Sequence, residues 1–271
     1  MLNDVKSAVS EPLKHLQVLR PSTRVAEVWL NRERVRNAFN DEVIAELTQT
    51  FAALNAEPEL RVVMLGARGG AFCAGADLNW MRRMADYTEA DNLRDAQALA
   101  QMLWTIDQCP VPVVGRIQGD CYAGGMGLAA VCDVLVAASG VQFCLSEAKL
   151  GLIPATISPY VVRGMGVSAA RRYFVTAERF SAKAGQQMGW VQEVCEASEL
   201  DAVVSKIVQS IASNAPQAVR LCKQLVRDVA GAEITAALRA NTAQRIASVR
   251  TSAEGRAGIG AFLNKDAMPW C

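Results

Sequence analysis

Between about residues 24 and 145, short apolar runs alternate with stretches patterned for helix, and this alternation constrains the fold more than any other feature of the chain. RVAEVWL, LRVVMLGA, VPVVGRI and DVLVAA have the length and content of buried strands. Between them lie helix-like segments such as the one opened by Asn40, Asp41 and Glu42, residue types that suit a helix start. Strands separated by helices imply an α/β class. After about residue 198 the strands stop. Leu200, Val203, Val204, Ile207, Val208 and Ile211 repeat at helical spacing behind Ser198-x-x-Asp201, which reads as a capping box. Pro216 opens a second helix, and Thr251-x-x-Glu254 is placed to cap a last one through Phe262. The expectation is an α/β core over residues 1–197 followed by a helical region over 198–271.

A chain of 271 residues with 51% hydrophobic content can fill one large core. With 28 basic against 27 acidic residues, no overall field draws it to nucleic acid or an anionic membrane, so an anionic ligand must be held by local charge. No apolar stretch has the length of a membrane span, and MLNDVKSAVSEPL lacks the basic and apolar regions of a leader; a cytoplasmic location is expected. The 8 cysteines form no C-x-x-C pair and read as buried, reduced thiols. The single histidine, His15, leaves a Ser-His-Asp or Cys-His unit no other base and excludes a histidine-rich metal site. His15 itself is expected on a surface strand.

The chemistry must then come from elsewhere. YAGGMGLAA at 122–130 follows a strand-like run and leads into a short helix, yet carries hardly a reactive side-chain atom. A second bare turn, GGAFCAGADL at 69–78, also follows a strand. Each can present one amide, and two N–H groups converging on one oxygen make an oxyanion hole, where losing a donor costs about 3 kcal/mol. Tight packing of backbone on backbone explains the same residues, and the turns alone do not choose between the two. Glu147, a lone carboxylate in FCLSEAKLGLIP, is a candidate general acid or base. Asp77 immediately precedes LNWMRRM and reads as a helix cap. GMGVSA at 164–169 matches a dinucleotide fingerprint but lacks the strand that must precede one; it reads as a turn between helices. No P-loop sequence exists.

Taken together and in order, LNRERVRNAFN at 30–40, GAFCAGADL at 70–78, IQGDCYAGGMGLAAVCD at 117–133, SEAKLGLIP at 146–154 and the terminal GIGAFLNK resemble the enoyl-CoA hydratase/isomerase, or crotonase, family. The resemblance runs from about residue 15 to 265. It implies a spiral of strand-strand-helix units with a helical C-terminal region used to form trimers or paired trimers. It implies that the N–H groups of Ala76 and Gly124 receive a thioester carbonyl and that Glu147 moves protons. It places the coenzyme A part of the substrate near Arg34, Arg36 and Ala38, with Phe262 and Lys265 reaching in from a neighbouring subunit, and requires no separate cofactor. Family hydratases with two carboxylates carry a second glutamate where this chain has Gly127, so either a single shuttling acid hydrates the substrate or the reaction is double-bond isomerisation.

CAGADLNWMRRM and LSEAKLGLIPATISPYV resemble bacterial methylglutaconyl-CoA hydratases, a branch that tolerates glycine at the Gly127 position. That resemblance implies a short, branched or carboxylated 2-enoyl-CoA, and Arg82, Arg83 or Lys149 as the cation for a substrate carboxylate. A human relative of the branch also resembles an RNA-binding protein with a lysine-rich helix. The corresponding stretch here, EVIAELTQTFAALNAEPEL, has no lysine or arginine, so nucleic acid is not an expected partner.

Overall fold

The structure, a computed structural model, describes residues 13–270. The stretch read as leaderless therefore lies outside the described residues except for Leu13, as does Cys271. The chain runs β1 (Leu16–Ser22), β2 (Val25–Leu30), α1 (Asp41–Asn55), β3 (Val62–Ala67), β4 (Ala71–Cys73), α2 (Leu78–Ala85), α3 (Glu89–Asp107), β5 (Val113–Ile117), β6 (Asp120–Tyr122), α4 (Gly124–Ala130), β7 (Val134–Ala138), β8 (Gln142–Cys144), α5 (Ser158–Thr176), β9 (Arg179–Ser181), α6 (Ala182–Gln187), β10 (Glu193–Cys195), α7 (Leu200–Ala212), α8 (Pro216–Val229), α9 (Ala236–Thr251) and α10 (Ala253–Asn264).

Three successive units repeat one plan: a long strand, a short strand, then helix. The long strands, with the three-residue β10 at one edge, join a sheet of order β1-β2-β3-β5-β7-β10, and the other short strands form a second sheet of order β4-β6-β8-β9. β2, β3, β5, β7 and β10 are parallel, and β3 is buried at every residue because its neighbours and covering helices leave no face to water. This is the expected α/β spiral with a helical C-terminal region. All four strand-like runs became long strands. The short strands were not legible, since three-residue segments carry no periodicity.

Local chemistry sets the helix starts, with three corrections to the sequence reading. Asn40 caps α1 by accepting from Val43 N–H at 3.0 Å, as expected. Ser198-x-x-Asp201 does not form its box: the residue before α7 is Glu199, without a side-chain cap, and Asp201 instead pairs with Arg116 at 2.6 Å. Nor does Thr251 cap α10. Thr251 ends α9, Ser252 takes over by accepting from Gly255 N–H at 3.0 Å, and Glu254 reaches the N-terminus of α8, accepting from Gln217 and Ala218 N–H at 3.0 and 2.8 Å. His15 is the third correction: it lies in a bend just before β1, where Nε2 is 2.6 Å from Glu42 Oε2. Pro216 does open α8, and GMGVSA falls inside α5, where Gly166 at φ 78°, ψ 158° breaks the helical course.

The change in packing comes later than the change in secondary structure. α7 buries Leu200, Val204 and Val208 against the large sheet, whereas α8 and α9 bury no residue and α10 only Gly258. Polar ties hold these last helices: Lys223 Nζ meets Asp133 at 2.5 Å, and Arg24 and Arg61 donate to the Trp270 carbonyl at 3.0 and 2.8 Å. Cys73, Cys109, Cys121 and Cys144 are buried, but Cys222 on α8 is exposed, against the expectation for all the thiols.

Candidate active site

β4, β6 and β8 are adjacent and parallel, so their C-terminal ends lie on one edge of the small sheet. Residues that follow these ends are thereby gathered: Gly75 and Ala76 after β4, Ala123 and Gly124 after β6, Glu147 after β8. Ala123 N–H donates to Cys144 O at 2.8 Å, tying the second turn to the strand that leads to Glu147. Loops beyond the carboxyl ends of parallel strands are where α/β folds place ligands.

The two amides are available. Phe39 forms a parallel bridge with Ala76: Phe39 N–H donates to Gly75 O at 2.8 Å and Asp77 N–H to Phe39 O at 2.7 Å. In that pattern Ala76's own N–H faces the other way. Gly124 is the first residue of α4, whose N–H has no intrahelical acceptor. Neither N–H has an acceptor among the described residues.

Packing also explains the bare turns. A Cβ on Gly124 would stand 2.8 Å from the Phe39 ring, and one on Gly125 would stand 2.8 Å from Cys73 O. A Cβ on Gly127 would fall 2.3 Å from Ile157 Cγ2 and 3.5 Å from Leu103 Cδ2, so the place of a second carboxylate is filled by an apolar wall. Ala123, at φ 47° and ψ −121°, holds a conformation that L-residues avoid, at a cost of about 1–3 kcal/mol, and its ψ sets the plane of the peptide that carries Gly124 N–H.

Glu147 opens a single 3-10 turn, Glu147–Leu150. Its Oε2 is buried without a hydrogen-bond partner, and burial pushes the carboxyl above its ordinary value, offset in part by its own backbone N–H. An unpaired carboxylate oxygen is costly unless something uses it. Asp77 is the contrast. Burial would raise it, but Trp80 and Asn79 N–H and the Arg32 guanidinium, 3.0 Å away, hold it below the usual range. It caps α2, as expected, and stays ionised.

The other expected residues are placed as follows. Arg34 and Arg36 are exposed around the 3-10 turn Glu33–Val35; Arg36 meets Asp120 at 3.4 Å. Ala38 is buried, and its carbonyl accepts from Arg32 Nη1 at 2.5 Å. Arg82 bonds Asn79 at 2.7 Å and Arg83 pairs with Asp41 at 2.5 Å, so both are engaged locally, whereas Lys149 is exposed two residues beyond Glu147. Phe262 and Lys265 are exposed, and among the described residues no hydrogen bond or ion pair joins them to Arg34, Arg36 or Ala38 of the same protomer. Sequence reasoning missed Phe39, Ala123 and Ile157: an apolar side chain or an alanine gives no signal of a backbone role.

A groove of 1080 Å³ runs between α8 and the core past Asp133, Trp190 and Lys223. It contains neither free amide nor the unpaired acid, so the strand-edge constellation is the functional candidate. Residues 20–271 match the family described as Enoyl-CoA hydratase/isomerase.

The chain belongs to the enoyl-CoA hydratase/isomerase family.

Among solved structures, a Legionella pneumophila protein provisionally described as an enoyl-CoA hydratase/isomerase (crotonase) superposes with TM-score 0.92 at 40% identity, covering 96% of this chain and 100% of the other. An enoyl-CoA hydratase of Shewanella pealeana superposes with TM-score 0.91 at 37% identity, covering 95% and 96%. The (E)-benzylidenesuccinyl-CoA hydratase of Thauera aromatica is 30% identical over 210 residues, 76% of this chain and 80% of the relative. As an enoyl-CoA hydratase/isomerase family enzyme, the chain acts on acyl-CoA thioesters.

Proposed function

We propose that this enzyme hydrates a short 2-enoyl-CoA whose acyl group is branched or carboxylated, as in methylglutaconyl-CoA, using the N–H groups of Ala76 and Gly124 as its oxyanion hole and Glu147 as its only proton-transferring acid. The observation that carries the reading is that two unpartnered amides and a buried carboxylate with a free oxygen follow the C-terminal ends of three adjacent parallel strands. Glu147 takes a proton from water as its oxygen bonds to the β-carbon. The double-bond electrons move to the α-carbon and carbonyl, giving an enolate oxygen that the two N–H dipoles stabilise. The same carboxylic acid returns the proton to the α-carbon, so one water is added in all. A carboxyl raised by burial is better matched to this work near neutral pH than an ordinary one.

The carboxylated acyl group is supported by a relative named for benzylidenesuccinyl-CoA, and Lys149 is the cation for it, since Arg82 and Arg83 are engaged locally. Arg34 and Arg36 bind the coenzyme A phosphates, with Phe262 and Lys265 contributed by a neighbouring subunit of a trimer or hexamer. One observation favours a second reading. Because Ile157 and Leu103 fill the space beside Gly127, a single acid serves the site, which suits moving a proton between α- and γ-carbons. Incubation in heavy-oxygen water with 3-methylglutaconyl-CoA, crotonyl-CoA and a 3-enoyl-CoA separates the two. Label in the product is expected for the first; a shifted double bond without label assigns isomerisation, and no reaction with any of the three refutes both.

A further inference from the structure

We propose that Phe39 is the positioning residue that fixes the two oxyanion amides relative to each other, its backbone holding the Ala76 turn and its ring holding the Gly124 turn. This rests on the role given above to those amides. The backbone half is the parallel bridge: hydrogen bonds from Phe39 N–H to Gly75 O and from Asp77 N–H to Phe39 O leave the peptide between Gly75 and Ala76 little freedom to rotate, so Ala76 N–H is held facing away from Phe39. The ring half is the contact with Gly124. Phe39 is 1% exposed, and its Cε2 and Cδ2 stand 2.8 and 2.9 Å from where a Cβ on Gly124 would lie. Gly124 is not among the residues with positive φ. Its glycine is therefore demanded by the ring above it, not by its own backbone conformation.

A second link closes the loop. A Cβ on Gly75 would lie 3.0 Å from the Ala123 methyl, and Ala123 aims the peptide that carries Gly124 N–H. Phe39, Gly75, Ala123 and Gly124 thus form one ring of contacts around the two donors. An oxyanion hole works through donors fixed before charge develops, so loosening this ring weakens binding of the transition state more than of the substrate.

The test uses Phe39→Leu and Gly124→Ala, singly and together, in the full-length enzyme. Two measurements are made: kcat and KM on 3-methylglutaconyl-CoA or crotonyl-CoA, and the absorption of bound 4-dimethylaminocinnamoyl-CoA, which moves to the red as its carbonyl is polarised. Phe39→Leu is expected to lower kcat by about 10- to 100-fold with KM nearly unchanged, and to shrink the red shift. Gly124→Ala, which drives a methyl against the ring, is expected to do the same. The double variant should lose less than the product of the two single losses, because the smaller side chain makes room for the methyl. Wild-type kcat and a full red shift in Phe39→Leu, or strictly multiplicative losses in the double variant, overturn the proposal. Absence of any red shift in the wild type removes the role of the amides themselves, and the clamp with it. Should Phe39→Leu fail to fold, Gly124→Ala decides: undiminished kcat and red shift overturn the clamp.

Discussion

At the scale of single residues, the site turns on what Glu147 lacks. Its free, buried Oε2 predicts that Glu147→Gln lowers kcat by about 10² to 10⁴ with little change in KM, since a proton carrier is lost and the binding surface kept. The raised carboxyl predicts that kcat/KM falls on the acid side at a pH above 4.5, measurable as the acid limb of the pH profile. It also fixes the sign of a stability effect. Above the raised value both folded and unfolded chains are ionised and only the folded one bears the burial cost. Below 4.5 both are protonated and the cost is gone. Glu147→Gln should therefore melt higher than wild type at neutral pH, an advantage that disappears as pH falls below 4.5, readable by thermal unfolding at two pH values. Gly127→Glu should fail as a gain of a second acid: its Cβ meets Ile157, and the overpacking costs about 1–3 kcal/mol, part of which Ile157→Ala should return in a denaturant titration. The resemblance pointed to Glu147, Ala76 and Gly124 because family motifs name those positions. Composition does not single out Glu147 among 27 acidic residues. Ile157 was not legible, because nothing in a sequence says which apolar residue fills the space beside a glycine 30 positions earlier in the chain.

At the scale of elements, the site depends on three short strands ending at one edge, β4, β6 and β8. The long strands were legible because their apolar runs are continuous; the short ones, which do the positioning, are defined by pairing with neighbours distant in sequence. Helix caps show the same division. Asn40 and Asp77 cap locally and were legible, whereas Glu254 caps α8 from α10, a tertiary contact that looked like a local box. Glu254→Ala should destabilise the C-terminal helices by about 0.5–2 kcal/mol and speed amide exchange at Gln217 and Ala218, with activity per folded site unchanged if α8 only supports assembly. Unaltered exchange at those two amides would contradict the cap.

At the scale of the whole molecule, the C-terminal helical region leaves large apolar side chains uncovered. Phe262 and Leu263 on α10 are each 72% exposed, and Ile234, in the connection between α8 and α9, is 80% exposed; the helices on either side bury almost nothing against the core. Apolar exposure of this kind marks an interaction surface, and a trimer or hexamer is the expected partner arrangement. Phe262→Asp should shift the assembly to smaller species in light scattering and, if Phe262 serves a neighbour's site, raise KM for the thioester; an unchanged assembly with unchanged KM would contradict this use of α10. With 28 basic against 27 acidic residues, no long-range field draws an anionic thioester to the protein. The proposed chemistry turns on the meeting of one carbonyl oxygen with two backbone hydrogens. A crystal structure with a bound, unreactive acyl-CoA is the most direct measurement: the account predicts the thioester oxygen about 2.7–3.1 Å from both Ala76 N and Gly124 N, with the Glu147 carboxyl facing the α- and β-carbons. An acyl group bound elsewhere, with solvent on both amides, would contradict it.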